Sequence, residues 1–339
     1  MRKGKFELFE TAAGRLGDIA ASEGLSQQYR VRLARDAREW QELFAALPQP
    51  QMMQSYAYGE AKRIAEGWGI VRCVFERGNT PLALCQVLEK RIAGVRVAAR
   101  VNRGPLFLEP DPPAHIKANV LRLLRKQWSL RRACPLLIAP ALAPTEENRQ
   151  LLREAGFRDR RRDAHHRSAR VDLRHGEEVL RKHLAATWRN RLRQAEKSGL
   201  ELEVSDSPAS IAWMLDRHAE NMRAKNFHRP TRAVVAAFCQ SLPPGDARVL
   251  RANADGQPVA GMLLIRYGRH SEYYVGWFGE QGRKFNCGNF LYWHCMRESM
   301  QAGCAWFDVG GYEDNEKYGH FKLGMRGVEY QFIGEWLCL

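Results

Sequence analysis

Apolar positions along the chain change period several times, and the changes mark out its elements. RVRLARDAREWQELFAAL has apolar residues at helical spacing and stops at PQP, and MMQSYAYGEAKRIAEGWG predicts a second helix closed by Gly67 and Gly69. IVRCVFER and PLALCQVLEKRI read as strands joined by the turn signal GNTP. VRVAARVNRGPLFLEP is a further strand, ended by prolines 110, 112 and 113. HIKANVLRLLRKQWSLRRA is amphipathic, CPLLIAPAL is a buried strand, and TEENRQLLREAGF is a helix capped by Thr145 and closed by Gly156.

The pattern then begins again. Strand SARVDL leads to helix GEEVLRKHLAATWRNRLRQAEKSG, strand LELEVSD, and helices SPASIAWMLDRHAENMRAKN and RAVVAAFCQSL. ARVLRANA and QPVAGMLLIRYG flank Asp255-Gly256, a hairpin signal. Strand SEYYVGWF, loop GEQGRKFNCGN, helix FLYWHCMRESMQAG, strand AWFDVGG, a charged glycine-rich loop and a last strand EYQFIGEWLCL complete the chain. Each half runs helices, an antiparallel meander, a helix and a final strand. The expected architecture is α/β (α+β): an arm or helix over 1–27, then two similar domains over 28–160 and 161–339, each a mixed, mostly antiparallel sheet flanked by helices.

With 339 residues, 45% apolar and 27% charged, the chain fits a soluble two-domain protein. No apolar run reaches membrane-span length, and no signal core follows the basic start, so a cytoplasmic location is expected. The eight cysteines form no Cys-x-x-Cys pair and read as small buried hydrophobes. His165 and His166 lack a second ligand pair at metal spacing and read as exposed linker residues, so no metal is expected. Of the net charge of +15, +7 falls between Arg153 and Lys197. A basic face of this kind attracts nucleic acid, diphosphates or anionic lipid heads, although a solvated basic helix has the same composition.

Two late residues suggest chemistry. Asp308 ends a strand, where a carboxylate either takes a proton in a cleft or caps a turn. Lys322, between Phe321 and Leu323, is either a cation in a site or a strand-edge lysine guarding against aggregation. Tyr318 is a second candidate proton relay, and Glu313, Asp314 and Glu316 read as solvated loop charges.

Several stretches, in order, carry a family resemblance. QSYAYGEAKRIAEGWG, NRGPLFLEP, TWRNRLRQAEKSGLELEV, GNFLYWHCMRESMQAGCAWFDVGG and HFKLGMRG resemble the Fem family of tRNA-dependent aminoacyltransferases and their acyltransferase relatives, over roughly residues 50 to 335. The resemblance implies tandem GNAT (N-acetyltransferase) folds and transfer of an aminoacyl group from aminoacyl-tRNA to the amine of a small or peptide acceptor, with no tightly bound cofactor. Phe321 would stack on the terminal adenine and Lys322 would steady the oxyanion. The donor arm would lie along SEYYVGWF, with Tyr274 on that strand. A coenzyme A donor would need a phosphate cradle at the next helix start, where Arg283, Lys284, Asn286, Gly288 and Asn289 give an imperfect match, with Asn286 in place of a glycine. That match reads equally as a plain polar loop. Arg189, Arg191, Arg193 and Lys197 would hold RNA phosphates. Gln54, Tyr58 and Lys62, one helical turn apart, would meet the acceptor with Arg103 and Arg229, although Lys62 also fits a surface helix lysine. Around Arg229, MRAKNFHRP matches the family's arginine-bearing segment only loosely, which argues against a nucleotide-linked muropeptide acceptor. The alternatives are an acyl-CoA- or carrier-dependent N-acyltransferase and a non-enzymatic nucleic-acid binder.

Overall fold

The computed structural model describes residues 29–128, 134–161, 166–224, 230–312 and 316–338, with only the backbone for Arg161, Ala224 and residues 316–318. The expected arm, Arg229, Glu313 and Asp314 lie outside the described residues, as do the side chains of Glu316 and Tyr318.

In chain order the strands are β1 (Tyr29–Leu33), β2 (Gly69–Arg77), β3 (Thr80–Ile92), β4 (Val95–Asn102), β5 (Leu106–Phe107), β6 (Leu136–Ala139), β7 (Arg158–Arg161), β8 (Arg167–Asp172), β9 (Glu201–Ser205), β10 (Ala247–Ala254), β11 (Gln257–Tyr267), β12 (His270–Phe278), β13 (Trp306–Asp308), β14 (Val328–Gln331) and β15 (Glu335–Cys338). They form two mixed sheets flanked by helices. The first has the order β1-β2-β3-β4-β6-β15-β7, with β5 on β3; the second has the order β14-β8-β13-β12-β11-β10-β9. Each holds one parallel pair among the described residues, β4 with β6 and β12 with β13.

Among the described residues, three apolar cores hold these layers. One packs the first sheet against the helices Ala114–Gln127 and Glu146–Glu154, through Leu121, Leu124, Leu152 and Trp336. Another packs the second sheet against Ala186–Glu196 and Cys287–Gln301, through Trp188, Leu192, Leu291 and Phe307. The third lies between the halves: Trp40, Phe44 and Tyr58 from the first meet Val235, Phe238, Leu263 and Ile265 from the second. A continuous apolar core of this kind fixes the two halves against each other.

Several elements differ from the expected ones. RVRL has a strand's period and pairs with β2 as β1; the helix starts only at Ala37, where Asp36 accepts from the Glu39 N–H. The single helix expected over GEEVLRKHLAATWRNRLRQAEKSG breaks into Glu177–His183 and Ala186–Glu196, because the Ala185 N–H bonds to the Gly324 carbonyl across the fold. NRGP interrupts VRVAARVNRGPLFLEP, which divides into β4 and β5 around Arg103, at φ 60°, and a cis Gly104–Pro105 bond. The expected last strand also divides: β14 pairs with β8, and β15 crosses to the first sheet between β6 and β7. GEQGRKFN contains a short helix, Glu280–Lys284. The charged loop after β13 is largely the helix Glu316–Leu323, whose weak apolar periodicity hid it and whose tertiary contacts hold it.

Candidate functional site

β12 and β13 pair through three residues only, His270–Glu272 with Trp306–Asp308. Beyond Asp308 the chain stays with β8: the Val309 N–H bonds to the Ala169 carbonyl and the Tyr312 N–H to the Arg167 carbonyl. β12 meanwhile skips a register step against β11 between Val275 and Tyr273, a bulge at Tyr274 that bends it. The two strands therefore diverge, and the β13-facing edge of β12 beyond Glu272 has no strand partner among the described residues.

Lys322 spans the mouth of this gap. It is 7% exposed and donates to the carbonyls of Gly310 and Gly311, both at 2.9 Å, on the β13 side. On the β12 side its ammonium lies 5.3 Å from the centre of the Tyr273 ring. Burial lowers its pKa to about 8, opposed by the charges of Asp308 and Glu272. Gly310 has φ 77°, and a Cβ there would meet Tyr273 at 2.8 Å and the Lys322 Nζ at 3.4 Å, so only glycine fits this wall. The edge-lysine reading is thus corrected: Lys322 points inward from a helix, because its charge is satisfied by carbonyls and an aromatic face.

Asp308 is 2% exposed and accepts three hydrogen bonds. Its carboxylate accepts from Ser168 Oγ at 2.5 Å, Tyr330 OH at 2.6 Å and the Gly310 N–H at 3.0 Å, and Arg170 Nε lies 3.5 Å away. Directly opposite it in register, Glu272 accepts from Tyr267 OH at 3.2 Å. Burial, and then the charge of Asp308, push the Glu272 carboxyl well above the usual carboxylate range. His166 is no exposed linker residue: its ring stacks on Phe332 at 5.8 Å and crowds Gly311, and burial followed by the Arg103 charge lowers its pKa to about 4. Its partner His165 lies outside the described residues.

Phe321 lies one residue from Lys322 and covers the start of the helix Cys287–Gln301. A Cβ on Gly288 would touch its ring at 3.2 Å, and the ring packs on Tyr292 (5.4 Å) and Trp188 (6.1 Å) while staying partly exposed. Asn286 holds the left-handed conformation, φ 55°, at the N-cap of that helix. Asn289 is 3% exposed and donates to the Trp188 carbonyl at 3.4 Å, so its side chain supports the helix from inside. Arg283 is exposed and donates to the Phe278 carbonyl at the end of β12, and Lys284 pairs with Glu280 at 2.8 Å. Tyr274 turns away from the gap, into the core between the halves, edge-on to Phe238 at 5.7 Å.

The basic helix Ala186–Glu196 starts at this site, since its Trp188 touches Phe321 and the Cβ position of Gly324. Arg191, Arg193 and Lys197 are exposed. Arg189 is partly occupied, donating to the Lys182 and Leu184 carbonyls. Arg189, Arg193, Arg181 and Lys182 line a shallow surface pocket of about 510 Å³ with Glu178.

In the first half, Gln54 is 1% exposed and fully bonded: it donates to the Gln86 and Asn102 carbonyls and accepts from the Gln86 N–H at 2.6 Å. Tyr58 packs edge-on to Phe238 at 5.7 Å. Lys62 is 6% exposed and paired with Glu66, which corrects its reading as a surface lysine. The Arg103 guanidinium lies 4.6 Å from the centre of the Phe332 ring, and burial lowers its pKa, opposed by the groups of Tyr330, Glu272, Tyr58 and Asp308. Arg103 is the residue of this set that reaches toward the second-half cluster. Sequence reasoning missed Tyr273, Glu272, Ser168, Tyr330 and Trp188; the doubled Tyr273-Tyr274 was a visible signal, but strand alternation alone does not say which ring faces the gap. No helix among the described residues is long and apolar enough to cross a membrane.

Comparison with known proteins agrees with the fold. The profile of the acetyltransferase (GNAT) domain family matches residues 182–320. The fold is similar to that of FemX, with a TM-score of 0.73 at 15% identity over 91% of this chain and 96% of FemX. It is also similar to a tandem GNAT protein from the clavulanic acid biosynthesis pathway (TM-score 0.51, 14% identity, 92% of this chain and 98% of the other). L-PGS from Bacillus licheniformis is comparably similar (TM-score 0.51, 13% identity, 89% and 91%). No curated sequence matches. At these identities the structural likeness establishes the fold, a Fem-like tandem GNAT arrangement. The profile match places an acetyltransferase (GNAT) domain over residues 182–320, which supports acyltransferase chemistry in the second half.

Proposed function

We propose that the chain is an aminoacyltransferase that moves an aminoacyl group from aminoacyl-tRNA to the amine of a small or peptide acceptor. The observation that carries this reading is the joint placement of Phe321 and Lys322. The ring covers Gly288, where a coenzyme A pyrophosphate would seek the bare start of the helix Cys287–Gln301, and offers an aromatic platform instead. One residue on, Lys322 sits where the β12 and β13 chains part.

In this reading the donor's ester lies in the gap, along the open edge of β12. The acceptor amine attacks the ester carbonyl, the C–O bond to the ribose breaks, and the amine proton passes to the leaving ribose oxygen. Negative charge gathers on the carbonyl oxygen, and the Lys322 ammonium stabilises it; a fixed cation in such a position contributes on the order of 3 kcal/mol. Asp308 orients Tyr330 and the Gly310 backbone through its hydrogen bonds. The acceptor approaches from the first half, past Arg103, and the terminal base rests on Phe321 while phosphates follow the basic helix that begins at Trp188.

An acyl-CoA donor is the second reading, favoured by the match of residues 182–320 to an acetyltransferase domain. Labelled aminoacyl-tRNAs and labelled acetyl-CoA, each offered with a pool of amines, separate the two. Ribonuclease-sensitive transfer from aminoacyl-tRNA is expected, with Phe321→Ala raising the apparent KM for that donor about tenfold. Transfer from coenzyme A alone overturns the proposal.

A further inference from the structure

We propose that the tip of the β3–β4 hairpin is a wedge that inserts into the surface of an anionic lipid bilayer. Pairing of β2 with β3 ends at Gly69 opposite Glu89, and pairing of β4 with β6 begins at Ala99. Lys90–Ala98 therefore stands clear of both neighbouring strands. Ala93 and Gly94, at φ 48° and 80°, make the two-residue turn that lets the arms stay paired to the tip, Ile92 opposite Val95. The arms are three residues on β3 and four on β4, where Val97 is the extra residue at a register shift; at roughly 3.3 Å per residue the shorter arm projects about 10 Å.

The composition of this projection runs against its position. Ile92 is 64% exposed, Val95 61% and Val97 36%. The other exposed large aliphatics among the described residues, Ile64, Val179 and Val328, stand singly on separate elements. Three clustered on one protruding tip mark an interaction surface.

The surroundings choose the partner. Behind the tip, Arg91 and Arg96 are opposite in register and share one carboxylate, Glu89, at 2.9 and 3.0 Å. Glu89 also accepts from Trp128 Nε1 at 2.7 Å, which brings the end of the helix Ala114–Gln127, with exposed Lys126, to the same place. Two arginines against one carboxylate leave positive charge a few residues behind the aliphatic tip, on a chain of net charge +15. Aliphatic tips give nothing to a nucleic acid, which is held by stacking and phosphate contacts. The arginines repel a second copy of the same tip. An anionic bilayer satisfies both parts: aliphatic groups enter the acyl boundary to about 5–10 Å, and basic groups meet the lipid phosphates.

The test is sedimentation of the full chain with vesicles of phosphatidylcholine alone and of phosphatidylcholine mixed with phosphatidylglycerol. We expect binding to the anionic vesicles only, weakened by salt, and a roughly tenfold lower partition coefficient for the Ile92→Ser/Val95→Ser variant with its melting temperature unchanged. A polarity-sensitive dye on Val95→Cys, selective because all eight native cysteines are buried, should shift to the blue on those vesicles. Equal partition of the variant, an unshifted dye, or a tip-dependent dimer formed without lipid overturns the proposal.

Discussion

The two parallel strand pairs, β4 with β6 and β12 with β13, occupy matching places in the two sheets and end differently. β4 and β6 pair from Ala99–Leu136 to Asn102–Ala139, and the Arg103 N–H extends the ladder to the Ala139 carbonyl. Gln54 then seals the end, bonded to Gln86 and Asn102, with its amide carbon 2.8 Å from where a Cβ on Gly104 would stand. β12 and β13 part after three residues, and Lys322 occupies the opening. Repeating a fold does not repeat its site. A gap between strands is a site only where the exposed main chain has been left open, and the first half uses its polar side chains to close it.

Lys322→Ala should give the largest effect that sharpens this contrast. Removing the Lys322 cation from the opening is expected to lower kcat/KM by about 10²–10³-fold, measured with a melting curve on the same sample. Gln54→Ala, at the closed counterpart, should do the reverse. It leaves the Gln86 N–H and two carbonyls without partners, each costing roughly 1–3 kcal/mol when buried. Chemical denaturation should show a loss of about 3 kcal/mol while activity at low temperature stays within a few-fold. If Gln54→Ala abolished turnover in a folded protein, the first half would hold a working site and the comparison would fail.

Much of this contrast could be read from the residues. The duplication, the β10–β11 hairpin at Asp255-Gly256, the Thr145 cap and the left-handed Asn286 follow from local chemistry, and the structure places each where local chemistry puts it. What local chemistry hides is long-range. Nothing in EYQFIGEWLCL signals that β14 and β15 belong to different sheets, because strand partners are chosen by edges made elsewhere. Helix Glu316–Leu323 has no clear apolar face; it is held by Phe321 against Trp188 and by Lys322 on two carbonyls, contacts more than ten residues away in sequence. At the site, Lys322 and Phe321 were visible as a pair in HFKLGMRG. That Ser168 donates to Asp308 and Glu272 faces it is a matter of strand register between segments over thirty residues apart.

The smallest effect is also the most direct check on what the lysine does. Its pKa, lowered by burial to about 8, falls within an ordinary assay range. An oxyanion is steadied only by the charged form, so kcat/KM should be level below about pH 8 and fall as pH rises through it, tenfold per unit at most. Stability moves the other way. The folded lysine releases its proton at about 8 and the unfolded one only near its ordinary value of 10.5, so between those values the unfolded chain holds more protons, and this group's contribution to stability rises with pH. Activity should thus decline across a window in which the lysine itself favours the fold, separating loss of the charge from unfolding. A rate that climbs through pH 8 instead would mean that the neutral amine is the working form, and Lys322 would then be accepting a proton at the opening rather than holding charge there.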